Sequence, residues 1–177
     1  MNKNIIITGG AKGIGKALAK NLAIDGYNVF VNYNKSEEAA KQLQKELRLQ
    51  GINIILHKAD ISKKDEATKM VRTAIQDLKK IDVLINNAGI SKIQLFMDIT
   101  DADWNTMIST NLNSIFYTTQ AAAYNMVQRK NGSIINISSI WGLVGSSCEV
   151  AYSTSKARGN WFYKSFSKGT PVHQIFA

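Results

Sequence analysis

Cysteine, proline, histidine and carboxylate are all scarce in this chain, and each scarcity closes off a class of protein. A single cysteine, Cys148, excludes an internal disulfide and fits a reducing compartment. Two histidines beside that cysteine do not make a metal site, so none is expected. The one proline, Pro171, lies near the end, and there are no repeats, low-complexity tracts or linkers. No apolar run is long enough to span a bilayer. Ile5-Ile6-Ile7 leads straight into a glycine turn, which does not read as a signal peptide. Against 22 lysines and arginines stand only 13 acids, a net charge of +9 that points first toward nucleic acid. The placement argues otherwise. Lys41, Lys45 and Arg48 share a helix-like stretch with Glu46, an ordinary solvated face, and Arg158, Lys164 and Lys168 sit in a segment without acids. No nucleic-acid or membrane partner is expected, and the location reads as cytoplasmic.

What is present suits one domain with a sizeable core: 177 residues, 45% hydrophobic and 20% charged. Strands are expected at Asn4–Thr8, Asn28–Asn32, Asn53–Lys58, Asp82–Asn86 and Ser133–Ser138. Helices are expected at Gly13–Ile24, Ser36–Gln50, Lys64–Leu78 and Asp101–Gln128, the last broken near Thr110, with another opening at Tyr152–Lys156. Alternating strands and helices give right-handed crossovers and a parallel sheet. The apolar strand cores fit a sheet covered on both faces. The fold class is therefore α/β, a doubly wound Rossmann-type sheet.

Thr8-Gly9-Gly10-Ala11-Lys12-Gly13-Ile14-Gly15 follows the first strand and opens the first helix. Glycines there permit a tight turn and let backbone N–H groups approach a pyrophosphate, while the helix N-terminus adds partial positive charge. Thr8, Gly9, Lys12, Gly13, Ile14 and Gly15 are the candidate contacts. A carboxylate ending the second strand would bind a ribose 2′-hydroxyl. Here Asn32 stands in its place, and Lys12 and Lys35 supply cations suited to a 2′-phosphate. The cofactor indicated is NADP(H). The bland alternative is a glycine loop without ligand and lysines pointing into water.

Tyr152 and Lys156 are four apart on an expected helix and share a face. A phenol with a pKa near ~10 is a poor acid–base catalyst at neutral pH, and a lysine ammonium beside it favours the phenolate. A hydroxyl such as Ser139 can hydrogen-bond a carbonyl where negative charge develops. Taken alone, a tyrosine and lysine at this spacing occur in helices by chance. The order of glycine turn, serine, tyrosine and lysine carries the weight.

These motifs resemble the short-chain dehydrogenase/reductase family, over Asn2 through Ala157. The turn matches its T-G-x-x-x-G-x-G. Asn86-Asn87-Ala88-Gly89 matches its N-N-A-G, which implies that Asn87, Ala88 and Gly89 border the cofactor. Asp60-Ile61 matches the family's D-[VIL], whose carboxylate contacts adenine. Asn111 matches the asparagine that completes a catalytic tetrad with Ser139, Tyr152 and Lys156. Within the family, Val31-Asn32-Tyr33 and Ile137-Ser138-Ser139 resemble bacterial 3-oxoacyl-[acyl-carrier-protein] reductases. The stretch Ser139–Val150 is similar to a subgroup some of whose members reduce a 5-aminopentanone group on elongation factor P. The resemblance implies NADPH-dependent reduction of a ketone, acyl-carrier-protein-linked or other, and a tetramer in the intact family. It sets Cys148 and Glu149 beside the substrate, with loop packing an equal alternative.

After Ala157 the pattern departs from the family's apolar helix. One coding of Arg158–Thr170, read one nucleotide later, gives G-V-I-G-F-T-K-A-L-A-K-E-L, the helix the family carries there. Residues 1–157 are thus expected to form the dinucleotide-binding and catalytic domain, and 158–177 an out-of-frame tail. The consequences expected are a sheet without its C-terminal strands, an exposed fifth strand, loss of a region that in the family contributes to the oligomer interface, and an inactive product.

Overall fold

The computed structural model describes residues 2–167 and 173–176. Its order is β1 (Asn4–Ile7), α1 (Gly13–Ile24), β2 (Asn28–Tyr33), α2 (Glu37–Arg48), β3 (Ile55–Lys58), α3 (Lys64–Leu78) and β4 (Val83–Asn86). There follow α4 (Asp101–Ile108), a π-helical turn (Ser109–Asn113), α5 (Ser114–Gln128), β5 (Ser133–Asn136), α6 (Trp141–Val144), α7 (Val150–Ser167) and β6 (His173–Phe176). The strands form one parallel sheet in the order β3-β2-β1-β4-β5-β6.

Side chains alternate across a strand, so consecutive isoleucines of β1 serve opposite faces. Ile6 joins Phe30, Leu84 and Ile134 beneath Met70, Val71, Ala122 and Met126 of α3 and α5. Ile5 and Ile7 join Val29, Val31 and Ile85 against Ala19, Ala23, Leu43 and Leu47 of α1 and α2. With helices on both faces the strands must be apolar throughout. Each fully buried Ile or Leu contributes about 1.5–3 kcal/mol by leaving water.

The chain winds outward from β1 to β3, then returns past β1 to β4. The C-terminal ends of β1 and β4 therefore lie side by side at the point where strand order reverses, where α/β sheets bind ligands. The glycine turn follows β1 there, and Asn87 to Gly89 follow β4.

One expectation about the C-terminal segment is corrected, that of an exposed fifth strand. Helix α7, expected to open at Tyr152–Lys156, runs on to Ser167. No proline interrupts it before Pro171, and helices persist where a face is packed. Strand β6 pairs with β5, Ser133 opposite His173 and Asn136 opposite Phe176, so the fifth strand is not an open edge. Strand pairing uses backbone groups that every non-proline residue carries, which the side-chain pattern does not reveal. Lys168, Thr170 and Pro171 lie outside the described residues. No helix of the described residues is long and apolar enough to cross a membrane. Among them, no group of three or more His, Cys, Asp or Glu side chains could hold a metal ion.

Candidate active site

The turn between β1 and α1 is shaped by what its glycines lack. Gly9 has φ +62°, and a Cβ there would meet Ala88 Cα at 2.9 Å. At Gly15 a Cβ would collide with Asn87 Nδ2 and stand 2.5 Å from the Gly9 carbonyl oxygen. Gly13, with φ +52°, faces open space, so its glycine is required by backbone conformation alone. The first residue of α1 with a backbone acceptor inside the turn is Lys16, which donates to Lys12 O at 3.0 Å. The N–H groups of Gly13, Ile14 and Gly15 precede it, at the end of the helix where donors have no helical partner. That arrangement fits a pyrophosphate.

Thr8 and Asn87 lock this turn to the end of β4. The Thr8 hydroxyl accepts from the N–H groups of Asn87 (3.0 Å) and Ala88 (3.1 Å). The Asn87 amide donates to Thr8 O (3.0 Å) and Gly9 O (3.2 Å). Their side chains hold the cradle, which leaves backbone to meet a ligand.

Asn32 is also a structural tie. It is buried, accepts from Gly9 N (3.3 Å) and donates to Ala59 O (3.0 Å). The sequence places it against an adenosine ribose; the structure spends its amide joining β2, β3 and the glycine turn. Lys12 and Lys35 are exposed, and among the described residues neither pairs with a carboxylate. Asp60 accepts from the Ser62 hydroxyl (2.6 Å) and N–H (3.1 Å). Burial pushes its pKa up, but the Ser62 hydrogen bonds and the Lys63 charge outweigh that and hold it below the usual value. The Ile61 side chain packs in the core, so only its backbone is open to a ligand.

The catalytic candidates converge on α7. Lys156 is buried and donates from Nζ to Ile137 O at 2.8 Å, while Nζ stands 5.8 Å from the Tyr152 ring centre. Burial lowers its pKa, since desolvation disfavours the ammonium. Asn111 lies in the π-helical turn, a distortion that often marks functional sites. Its Oδ1 accepts from Ile90 N at 2.8 Å, and its Nδ2 donates to Ile90 O (2.9 Å) and Ser155 Oγ (3.0 Å). A Cβ on Gly89 would reach Asn111 Oδ1 at 3.4 Å and Lys156 Nζ at 3.5 Å. Gly89 thus keeps the space between these two groups clear. The Ser139 hydroxyl accepts from Trp141 N at 3.2 Å as the loop enters α6.

Two positions here escape the sequence reading. Ser155 accepts from Asn111 and donates to Tyr152 O at 2.7 Å, coupling the asparagine to the helix that bears the tyrosine. Asn160, inside the stretch taken as a tail, is buried and bonded to Ser138 and Gly142. Its spacing was the available signal, since 152, 156 and 160 fall on one helical stripe.

Cys148 and Glu149 serve loop packing. Glu149 Oε1 accepts from Ser91 Oγ at 2.5 Å, and Cys148 O accepts from Gln94 N at 2.7 Å. Both fasten the loop after β4 to the start of α7. Around the site the side chains of Ile93, Leu95, Phe96, Met97, Leu143 and Val144 are exposed.

The sequence pattern of the short chain dehydrogenase family matches residues 3–176. A 3-oxoacyl-[acyl-carrier-protein] reductase of Staphylococcus epidermidis is 36% identical over 157 residues, 89% of this chain and 64% of that protein. The chain therefore spans under two thirds of that relative's length. An uncharacterized oxidoreductase of Bacillus subtilis is 36% identical over 169 residues, covering 95% of this chain and 69% of its own. Among solved structures, a metagenomic short-chain oxidoreductase crystallised in complex with NADP superposes with a TM-score of 0.93. It is 27% identical, with 98% of this chain and 80% of that one covered.

Proposed function

Because the chain belongs to the short-chain dehydrogenase family, we propose that it is an NADPH-dependent reductase of a ketone, of the 3-oxoacyl-[acyl-carrier-protein] type. The observation that carries this reading is the meeting of Asn111, Tyr152 and Lys156 beside a glycine cradle that fits a dinucleotide. The name of the Staphylococcus epidermidis relative supports the substrate class, and the NADP complex of the structural relative supports the phosphorylated cofactor.

The cradle of Gly9, Gly13 and Gly15 would hold the dinucleotide, whose nicotinamide would supply hydride to the carbonyl carbon while the C=O π electrons move to oxygen. Ser139 donates a hydrogen bond to that oxygen where charge accumulates. Tyr152 gives it a proton, forming the secondary alcohol. Lys156 favours the phenolate that remains. Asn111, anchored to Ile90 and Ser155, holds the polar end of the site open next to Gly89. With no acid ending β2, Lys12 and Lys35 are the cations for a 2′-phosphate.

With α7 and β6 in place, the chain as it stands is taken as the active form, against the expectation of an inactive product. The groups that meet cofactor and substrate lie within residues 1–157, the location is cytoplasmic, and the assembled family form is a homo-oligomer. The alternative, that 158–177 is out of frame and the chain inactive, is tested by sequencing the coding DNA across codon 157, where an intact frame contradicts it. Reduction of an aminopentanone group on elongation factor P is the second substrate, supported by the Ser139–Val150 stretch. For the cofactor, fluorescence titration of both nucleotides should show tighter NADPH. Equal affinity or tighter NADH overturns that assignment.

A further inference from the structure

We propose that Asn160 is a positioning residue. It fastens the loop bearing Ser139 to the same helix that bears Tyr152, and so sets where the serine hydroxyl meets a substrate oxygen. The inference rests on the roles given above to Ser139 and Tyr152.

Asn160 lies four residues beyond Lys156 and eight beyond Tyr152, so α7 presents all three along one stripe. A buried amide in mid-helix is costly unless both ends are satisfied. Here both are. Oδ1 accepts from Ser138 Oγ at 2.9 Å, and Nδ2 donates to Gly142 O at 3.3 Å. One side chain thus grips the loop on each side of Ser139, one residue before it and three after.

Between those grips the loop is closed by its own bonds. Trp141 N donates to Ser139 Oγ at 3.2 Å, and Gly142 N donates to Ser139 O at 2.9 Å. A Cβ on Gly142 would stand 3.0 Å from Lys156 Cβ, so the loop lies directly on α7 at the catalytic lysine. Among the described residues, no other side chain from outside the loop hydrogen-bonds the stretch from Ser138 to Gly142. The fit is specific to an amide. Aspartate keeps the acceptor for Ser138 and loses the donor for Gly142; leucine keeps the bulk and loses both.

The full chain is compared with Asn160→Leu and Asn160→Asp, each alone and combined with Ser139→Ala. The first readout is hydrogen exchange of residues 138–145 without substrate. Exchange at Trp141 and Gly142 should rise in Asn160→Leu and rise less in Asn160→Asp, while β1 to β4 stay as in the unmodified chain. The second is ketone reduction. Asn160→Leu should lower kcat roughly tenfold to a hundredfold, as for a misplaced catalytic group, with NADPH affinity unchanged. In the Ser139→Ala background the same change should cost nothing further.

Unchanged exchange in a folded Asn160 variant overturns the proposal, whatever the activity. So does an equal kcat loss with and without Ser139, because a merely structural role is additive. If Asn160→Leu does not fold, Asn160→Asp carries both readouts. A Ser139→Ala chain with full activity overturns the serine's role and the positioning role with it. A slowed Ser139→Ala chain with unaffected Asn160 variants overturns only the latter.

Discussion

The loop after β1 and the loop after β5 stand near each other at the C-terminal end of the sheet and are held in opposite ways. The first is held by the absence of side chains. Gly9 and Gly15 lie against Ala88 and Asn87 with no room for a methyl group, and Thr8 and Asn87 stitch the backbone together. The second is held by side chains from one helix. Lys156 grips Ile137, Asn160 grips Ser138 and Gly142, and Leu143 and Val144 stay exposed at its outer end. On the proposed function, a surface that binds the same phosphates in every turnover can be rigid backbone. On the proposed roles of Ser139 and Tyr152, a surface that offers a hydroxyl to a reacting carbonyl is tied instead to the helix carrying the proton donor.

The contrast sets the order of the expected effects. Gly15→Val should be the most damaging change in the first loop. It drives a branched side chain into Asn87 and the Gly9 carbonyl, an overpacking that costs at least ~1–3 kcal/mol. Cofactor titration and urea unfolding should show lost binding and lower stability. Retained affinity would mean that the turn is looser than its contacts require.

Asn32→Asp sharpens the same loop by changing charge at nearly constant shape. The donor to Ala59 O is lost and a carboxylate oxygen faces that carbonyl. An unsatisfied buried group of this kind costs about 1–3 kcal/mol. Both nicotinamide cofactors should bind more weakly, with a lowered melting temperature. A stable variant that simply switches to NADH would show that Asn32 faces the ribose after all.

A subtler effect belongs to Lys156. Its pKa is lower in the folded chain than unfolded because it is buried. Between the folded value and the ordinary lysine range the unfolded chain binds more protons, so this residue makes stability rise with pH there. Melting temperatures measured across that alkaline range should rise more for the unmodified chain than for Lys156→Met. Equal slopes would place the ammonium in water.

The smallest effect concerns Asp103, which fixes the loop before α4. It accepts from Lys92 at 2.7 Å and Thr100 at 2.9 Å, and these bonds, Lys92 first, hold its pKa down to about 2. Its stabilising contribution is present above the ordinary aspartate value and is lost as pH falls toward about 2. Asp103→Asn should speed hydrogen exchange of residues 91–98 at neutral pH with little change in global stability. Unchanged exchange would free that loop from the carboxylate.

Legibility from sequence follows the same division. The glycine turn could be read because its φ values and close approaches leave few residue types to choose from. Helices α1 and α3 begin and end where periodicity places them, Gly13–Ile24 and Lys64–Leu78. The break expected near Thr110 is the π-helical turn that carries Asn111. What escaped depends on partners distant in sequence. Asn32 looked free for a ligand because Gly9 and Ala59 become its neighbours only when β2 lies between β1 and β3. Asn160 went unnoticed because its partners lie 22 and 18 residues earlier. Strand β6 was missed because edge pairing is a matter of backbone and register.

On the proposed function, the cradle and the α7 stripe do separate work, one holding cofactor and the other moving a proton. Tyr152→Phe tests it most directly, because it removes one hydroxyl and leaves the ring beside Lys156. NADPH binding by fluorescence and NADPH oxidation with an acetoacetyl thioester should be measured on the variant and the unmodified chain together. The account predicts equal NADPH binding by both and ketone reduction by the unmodified chain alone. Substantial turnover by Tyr152→Phe would contradict it.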